Sequence, residues 1–291
     1  MSYYYHRAKG IFYSKLSNTK LRSLVQSIVS KMILSKKLKG NYNFFKIEHL
    51  QKHKSELKET GITYLGKILD DQTIEEITNN IKNLKCHDTW CPELVEFYVN
   101  EVTDKTHTAS FKREDLVKQK IIFEIANNAS VLDIVKDYLG TTPTISNVNA
   151  WWSFGGRNKA QEAQNFHRDN DDIKFCKLFI YLTDVTEESG PHIYVRNSVY
   201  ANKLRKIRRL TDDEVEHNFN KNDILTLVYP KGHAFLEDTY GIHKGMLPKS
   251  ENRLLLQIQY SISPIGYIKY IPEPITHDTD YSNYINRLII K

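Results

Sequence analysis

Three residues of this 291-residue chain could together hold a metal ion. His167 and Asp169 lie in the segment NFHRDNDD, and His243 lies in YGIHKG. Two imidazoles and one carboxylate are the ligand set that holds non-haem Fe(II) and leaves coordination positions open. Because the chain has 11 histidines, a His-x-Asp pair alone is weak evidence. Arg253 follows ten residues after His243 and could bind the carboxylate of an organic co-substrate. The combination predicts oxygen-activating chemistry.

A β-strand would bring the first two of these residues to one ion. Side chains at positions i and i+2 of a strand point to the same face, so His167 and Asp169 could converge while Arg168 points away. His243 must then come from a distant strand. Runs of β-branched, aromatic and aliphatic residues predict four later strands. These strands are Phe175–Thr183, Asp223–Tyr229, His233–Glu237 and Arg253–Ser261.

The last predicted strand has two unlike faces. One face holds Arg253, Leu255, Gln257 and Gln259, and the other holds Leu254, Leu256, Ile258 and Tyr260. An apolar face suits packing against helices and a polar face suits the lining of a pocket, so the pattern indicates a barrel wall. An arginine that points into a barrel is costly without an anionic partner, and a carboxylate matches its geometry best.

Ordered landmarks around these residues resemble a known family. The opening GITYLGKILDDQTIEEITNNI, the segment YLGTTPTI, the strand with Trp151 and Trp152, and KLFIYLTDVTEESGP occur in that order around the His167-x-Asp169 pair. Together with His243 and Arg253 they are similar to the phytanoyl-CoA dioxygenase (PhyH-like) branch of the Fe(II)/2-oxoglutarate oxygenases. The resemblance runs from Gly61 to about Gly266, roughly two thirds of the chain.

The resemblance implies a mainly β fold with flanking helices, a double-stranded β-helix of the jelly-roll or cupin type. It implies His167, Asp169 and His243 as iron ligands and Arg253 as the partner of the distal carboxylate of 2-oxoglutarate. Lys177 and Asn149 are weaker candidates for the same co-substrate. The implied reaction uses dioxygen and hydroxylates a small or medium metabolite while 2-oxoglutarate is decarboxylated to succinate. Asp238 or Thr239 could orient His243, although roles in a turn are favoured.

Two features leave the substrate open. Arg196–Val199 stands where the family shows Pro-Gly-Ser-His, which puts the shape of the cavity mouth in doubt. The basic cluster Leu204–Leu210 (LRKIRRL) could attract an acidic, phosphorylated or CoA-linked substrate, or could be a solvated helix face. Desaturation or epoxidation could replace hydroxylation. A degenerate barrel that only binds or scaffolds is the alternative to an enzyme, and the oligomeric state is open.

Charge divides the chain. Residues 1–50 carry ten lysines and arginines against one acidic residue, so the rest is slightly acidic although the whole chain is +6. We therefore expect a basic helical extension over 1–55, a catalytic domain over 56–270 and a C-terminal tail over 271–291. Apolar residues from Leu21 to Ile33 recur at helical spacing. This helix could touch a membrane surface through residues 20–37, but docking on the barrel is favoured.

Composition limits the remaining possibilities. Three cysteines with no secretory signal are typical of free thiols in a reducing cytoplasm. Cys86, His87 and Cys91 do not have the ligand count of a standard zinc site. No apolar run is long enough for a transmembrane span. Nucleic-acid binding is not expected, because the aromatic residues lie in strand-like runs rather than among the basic ones.

Overall fold

The computed structural model describes residues 8, 11–12, 16, 19–33, 44–91, 95–275 and 281–291. Its helices are α1 (Thr19–Met32), α2 (Leu50–Thr60), α3 (Asp71–Ile81), α4 (Arg113–Val117), α5 (Lys120–Ala126), α6 (Ala129–Leu139), α7 (Asp212–Asn218) and α8 (Asn283–Asn286). Short 3-10 turns are Val99–Glu101, Glu162–Gln164 and Lys221–Asp223.

The strands form two antiparallel sheets. They are β1 (Ile62–Lys67), β2 (Cys86–His87), β3 (Thr108–Phe111), β4 (Thr144–Ser153), β5 (Phe175–Tyr181), β6 (His192–Val195), β7 (Ile224–Leu227), β8 (His233–Glu237), β9 (His243–Gly245) and β10 (Arg253–Ser261). The larger sheet has the order β1-β8-β5-β10-β4-β3-β2, and the smaller has the order β7-β6-β9. This is the predicted double-stranded β-helix with flanking helices.

Alternation along β10 separates the barrel interior from the outer core. Leu254, Leu256, Ile258 and Tyr260 are buried in the main apolar cluster together with the helices. Arg253, Leu255 and Gln257 line a cavity on the other face of the sheet. The predicted division of this strand into an apolar face and a pocket-lining face is confirmed.

Helices cover the outer face of the larger sheet. In α6 the N-cap Asn128 accepts hydrogen bonds from Ser130 N and Val131 N, and the helix ends at Gly140 with a left-handed φ of 71°. In α3 the side chain of Asp70 accepts from Thr73 N. Both helices turn their apolar stripes toward the sheet, so its outer face is buried in the main apolar cluster.

The basic helix α1 packs on the body of the protein, as favoured from the sequence, through apolar and polar contacts: Val25 and Val29 pack against the main apolar cluster. Arg22 donates to Asp172 O at 2.8 Å, Gln26 to Ile173 O at 2.7 Å and Ser30 to Leu139 O at 2.9 Å. Much of its apolar stripe faces outward: Leu21, Leu24, Ile28 and Met32 are exposed. Contact of residues 20–37 with a membrane surface stays a prediction, and residues 34–43 lie outside the described part of the chain.

The C-terminal segment is part of the core rather than a loose end. Ile285, Ile289 and Ile290 are buried in the main apolar cluster. The side chains of Asn286 and Asn127 exchange hydrogen bonds of 2.8 and 3.0 Å. The division at residues 55 and 270 stays a prediction. Among the described helices, none combines the length and apolarity that crossing a bilayer requires.

Candidate metal centre and cavity

Backbone pairing brings the three predicted metal ligands together. His167 and His243 form an isolated antiparallel bridge, with N···O distances of 2.9 and 3.0 Å in the two directions. Asp169 follows in extended but irregular chain, where its N–H donates to Thr239 O at 2.8 Å. The prediction that His167 and Asp169 lie on a regular strand is therefore wrong. The i, i+2 geometry survives because these two backbone contacts hold the segment extended.

Arg168, between the two ligands, points away from them as predicted. Its guanidinium is buried and donates to three backbone oxygens: Leu204 O at 3.0 Å, Tyr240 O at 2.6 Å and Ser198 O at 2.9 Å. A fourth bond goes to Lys203 O at 3.3 Å, in addition to those three. These bonds anchor the segment to the neighbouring loops, so Arg168 helps to fix the direction of the side chains on either side.

The distances among the three ligands suit one ion. The Asp169 carboxylate lies 3.5 Å from His167 Nε2 and 3.5 Å from His243 Nε2, and all three candidate ligand atoms lie within 4.8 Å of one another. His167 Nδ1 is 2.9 Å from Asn165 O, and His243 Nδ1 is 3.0 Å from Gly241 O. A carbonyl oxygen accepts a hydrogen bond only from a protonated Nδ1, so in both rings Nε2 carries the lone pair that faces the common centre. This is the tautomer that metal binding needs.

Those contacts correct one expectation. The acceptor that orients His243 is the Gly241 carbonyl, not Asp238 or Thr239. Asp238 instead accepts from Tyr138 Oη at 2.5 Å and from Tyr240 N at 2.9 Å. The favoured turn role is the one that the structure supports.

Electrostatics keep the ligands in their metal-binding forms. Burial disfavours a charged Asp169, but the Lys177 ammonium and the His243 ring hold the pKa of this carboxyl well below its usual value. Burial, together with the nearby His167, lowers the pKa of His243, which favours the neutral imidazole. A charged carboxylate and a neutral imidazole are the protonation states that divalent ions bind.

Lys177 lies beside the predicted ligands. Its ammonium is 2.7 Å from Asp169 Oδ2 and 3.1 Å from Asp171 Oδ2, and Tyr267 donates to Asp171 at 2.7 Å. Although burial opposes the charge, the two carboxylates raise the pKa of Lys177. The ammonium is thus already paired, which favours orientation of Asp169 over direct binding of a co-substrate.

Arg253 is a buried cation whose side chain lines the same cavity. Its guanidinium donates to Gly190 O, Nε has no partner, and among the described residues no carboxylate forms an ion pair with it. A Cβ on Gly245 would lie 3.0 Å from Arg253 Nη2, so this glycine leaves the side of the guanidinium accessible. Burial lowers the pKa of Arg253, as expected for a charge without a counter-ion.

The register of the strands places the predicted site residues along one wall of a cavity. Thr108 pairs with Ser153, and Ser153 with Arg253; Asn149 pairs with Gln257, and Gln257 with Phe179. Residues paired across antiparallel strands share a face, so these rows point into the same space. They line a cavity of about 480 Å³ that also contains the three ligands, Lys177 and Asn149. All the site residues predicted from the sequence therefore meet there.

Sequence reasoning missed a buried pair, of which His192 lines this cavity and Glu237 lies behind it. His192 Nε2 lies 2.9 Å from Glu237 Oε1, and the His192 ring is 5.6 Å from that of His243. Burial raises the pKa of Glu237 to about 8, and burial together with Arg253 lowers the pKa of His192 well below its usual value. Both are uncharged near neutral pH. His192 directly follows the recognised Gly-Pro pair, a position that could have marked it.

The outer wall was also missed. It comes from the turn after β2, from β3 and the start of α4, and from the 3-10 turn at 162–164. The lining residues from these elements and the facing β4 strand include His87, Thr89, Trp90, Ser110, Lys112, Arg113, Glu114, Trp151 and Gln164. No local motif marks these residues, because their shared position depends on pairing between distant strands.

Two segments that the sequence linked to the cavity mouth do not line it. In Arg196–Val199, Ser198 Oγ accepts from Ile242 N at 2.7 Å, so the segment supports the chain leading to His243. In Leu204–Leu210, Arg208 pairs with Glu214, and Arg209 with Glu162 at 2.8 Å. Neither segment therefore contributes side chains to the described cavity lining, and Arg209 ties Leu204–Leu210 to the 3-10 turn at 162–164 that forms part of the outer wall. A role of either segment toward a substrate stays a prediction.

Comparisons with known proteins agree on the fold. No protein-family model matches the chain, and no curated protein does so. HygX from Streptomyces hygroscopicus, solved with nickel and 2-oxoglutarate, is similar with a TM-score of 0.54 and 15% identity, covering 81% of this chain and 96% of HygX.

Two further solved structures have the same architecture. SnoN, described as a non-heme alpha ketoglutarate dependent epimerase from nogalamycin biosynthesis, has a TM-score of 0.52 and 11% identity over 80% of this chain and 95% of its own. EvdO2 from Micromonospora carbonacea var. aurantiaca, solved with 2-oxoglutarate, has a TM-score of 0.51 and 13% identity over 74% of this chain and 91% of its own. At these identities the likeness establishes the fold.

Proposed function

We propose that this protein is a non-haem Fe(II)/2-oxoglutarate-dependent oxygenase, in agreement with the PhyH-like resemblance. The observation that carries the proposal is the joining of two features in one cavity. The first feature is the His-Asp-His set, whose Nε2 atoms and carboxylate converge on one point. The second is the buried guanidinium of Arg253, which lines the same cavity and has no anionic partner among the described residues. A keto acid with a second carboxylate satisfies both features at once.

His167, Asp169 and His243 would hold the ion, and Arg253 would bind the distal carboxylate of 2-oxoglutarate. Asn149 lines the same cavity and could donate a hydrogen bond to the co-substrate. Lys177 keeps the Asp169 carboxylate charged and oriented. Phe179 and Leu255 supply apolar surface that limits water around the centre. When bound, Fe(II) supplies dioxygen activation that couples decarboxylation of 2-oxoglutarate to succinate with oxidation of a substrate.

We propose hydroxylation of a small or medium metabolite as the outcome. The structural neighbours support the cofactor set, since HygX and EvdO2 were solved with 2-oxoglutarate. SnoN is described as an epimerase, so this fold also supports another outcome. Once a substrate is known, incorporation of oxygen from labelled dioxygen into the product separates hydroxylation from epimerisation or desaturation.

The cofactor assignment is tested by spectroscopy without any substrate. Anaerobic addition of Fe(II) and 2-oxoglutarate should give the weak visible charge-transfer band of a chelated keto acid. His167→Ala or Asp169→Ala should abolish the band, because each removes a ligand. His217→Ala is the matched control, since this histidine is exposed and does not line the cavity. Wild-type protein that gives neither the band nor succinate with oxygen would identify a degenerate, binding-only barrel.

A further inference from the structure

The outer half of the cavity differs in chemistry from the inner half. We call the lining that comes from β2, β3, the facing residues of β4, the start of α4 and the 3-10 turn at 162–164 the outer half, and the lining that holds the predicted metal ligands, Lys177 and Arg253 the inner half. Aromatic and uncharged polar side chains dominate the outer half. His87 pairs with Ser110, and Ser110 with Trp151, so one row across β2, β3 and β4 presents an imidazole, a hydroxyl and an indole. All three residues line the cavity together with Thr89 and Trp90.

The cations at the mouth are already neutralised. Lys112 forms an ion pair with Glu96, and Arg113 pairs with Glu114 at 2.6 Å. The basic cluster Leu204–Leu210 does not line the cavity. Recognition of a phosphate or a CoA group normally uses arginines or lysines free to bind the anion. The described lining of the outer half therefore disfavours a strongly anionic substrate.

One buried amide in this half has an unused donor. Gln164 is 5% exposed, its Oε1 accepts from Gln161 N at 2.8 Å, and its Nε2 has no hydrogen-bond partner. Leaving a buried donor without a partner is costly, so a ligand acceptor at this point would be favoured. Gln164 lines the same cavity as Trp90 and Trp151, so this donor is available to a molecule that binds there.

We propose that the outer half binds a neutral, polyhydroxylated ring of the sugar or glycoside type. Such a ring has an apolar C–H face, which the negative face of an indole attracts, and a rim of hydroxyls that can accept from Gln164 and exchange hydrogen bonds with His87 and Ser110. The inference names the substrate class for the proposed oxygenase and rests on that function. It replaces the acidic, phosphorylated and CoA-linked options considered from the sequence.

The test compares two panels of probes with one readout. Neutral methyl glycosides and unsubstituted oligosaccharides form the first panel, and sugar phosphates and acyl-CoA thioesters the second. Succinate formation with Fe(II), 2-oxoglutarate and oxygen is measured for each. We expect at least one neutral glycoside to stimulate succinate formation. Stimulation confined to the anionic panel, or no response to any neutral glycoside, would overturn the substrate class.

Variants connect the response to the proposed surface. Trp90→Ala and Gln164→Ala should each raise the KM for the active glycoside at least about tenfold and leave the Fe(II)–2-oxoglutarate band unchanged. Phe44→Ala, which removes an exposed aromatic ring away from the cavity, is the control. An unchanged KM in both cavity variants would contradict the proposal even if a glycoside is active.

A second measurement separates this inference from the oxygenase assignment. Quenching of tryptophan fluorescence by the same glycosides is recorded on metal-free wild-type protein and on Trp90→Ala. A normal charge-transfer band without glycoside binding or turnover rejects only the substrate class. Absence of the band with glycoside quenching that Trp90→Ala weakens rejects the oxygenase and retains the sugar-type site.

Discussion

Arg253 and Lys177 are two buried cations in one cavity with opposite surroundings. Lys177 is held by the carboxylates of Asp169 and Asp171, whereas Arg253 has a backbone oxygen and no carboxylate among the described residues. A buried charge without a counter-ion costs several kcal/mol, by general estimates. Lys177 is therefore neutralised within the protein, whereas Arg253, under the proposed function, would bind the anionic co-substrate.

Substitution of Arg253 tests this difference. Arg253→Gln should raise the concentration of 2-oxoglutarate needed for half-saturation by about 100-fold, roughly 2.7 kcal/mol, because a charge-assisted bidentate contact is lost. The free energy of unfolding of the metal-free variant should not fall, since the substitution also removes an uncompensated charge. Titration of the charge-transfer band and urea denaturation measure the two effects. Arg253→Lys should recover part of the affinity; equal affinities in all three proteins would contradict the assignment.

The His192–Glu237 pair predicts a pH dependence of stability. Burial raises the pKa of Glu237 to about 8, while an unfolded chain ionises this group near its ordinary value of 4.5. Between these values the folded state binds more protons than the unfolded state, so stability falls as pH rises. His192, with its lowered pKa, acts below its ordinary value of 6.5 and in the opposite direction.

The window between pH 6.5 and 8 therefore isolates Glu237. We expect the free energy of unfolding of the metal-free protein to fall by roughly 1–2 kcal/mol across it, from about 1.4 kcal/mol per pH unit. Glu237→Gln, which keeps a hydrogen-bond partner for His192, should flatten the dependence. Urea denaturation at several pH values measures it. The same slope in wild type and variant would show that another group is responsible.

At the scale of elements, β10 separates the solvent-containing cavity from the apolar core. It is the central strand between β5 and β4, and its alternate side chains belong to different environments. Substitutions at adjacent positions should therefore affect different properties of the protein. Because neighbouring residues of β10 face the core and the cavity, one substitution can alter stability and the next one function.

Ile258→Ala and Gln257→Ala form a matched pair on this strand. Ile258 is fully buried among helices and sheet, so its truncation should lower the free energy of unfolding by about 2–5 kcal/mol. Gln257 faces the cavity, and its truncation should cost less than about 1 kcal/mol because it leaves no closed cavity in the apolar core. Chemical denaturation compares the two. A larger loss for Gln257→Ala would contradict the assignment of the faces.

At the scale of the whole molecule, the proposed ligands connect the two sheets. His243 begins β9 in the smaller sheet, Arg253 begins β10 in the larger sheet, and Asp169 lies in the chain between strands. An ion and a keto acid bound at these points would be contacted only in the folded state. Ligand binding is then linked to global stability.

Thermal unfolding measures this linkage. Ni(II) at about 100 times its dissociation constant should stabilise the folded protein by about 2.7 kcal/mol. For a chain of this size the gain corresponds to a rise in Tm of roughly 5–10 °C. Asp169→Ala should lose most of the shift. A rise of equal size in this variant would show that the ligands bind elsewhere.

Local sequence pattern was sufficient to predict those parts of the protein whose neighbours in space are also near in sequence. The alternation in Arg253–Ser261 predicted both faces of β10, and the His167-x-Asp169 spacing predicted a shared direction although the segment is not a regular strand. The types of the three ligands and of Arg253 predicted the chemistry. Each of these features depends on periodicity or on residue type, which a sequence contains directly.

Only the tertiary structure showed which residues form the outer half of the cavity. His87 reaches the site through pairing with Ser110, and Ser110 through pairing with Trp151, which lie 23 and 41 residues apart in sequence. It also left Arg196–Val199 and Leu204–Leu210 out of the described cavity lining, although the sequence had linked both segments to the mouth. The physical reason is that strand register and loop packing are set by the burial of whole faces, and short local patterns do not encode such long-range pairing. Residue identity thus determined the chemistry at the metal, whereas the packed sheets determined what can approach it.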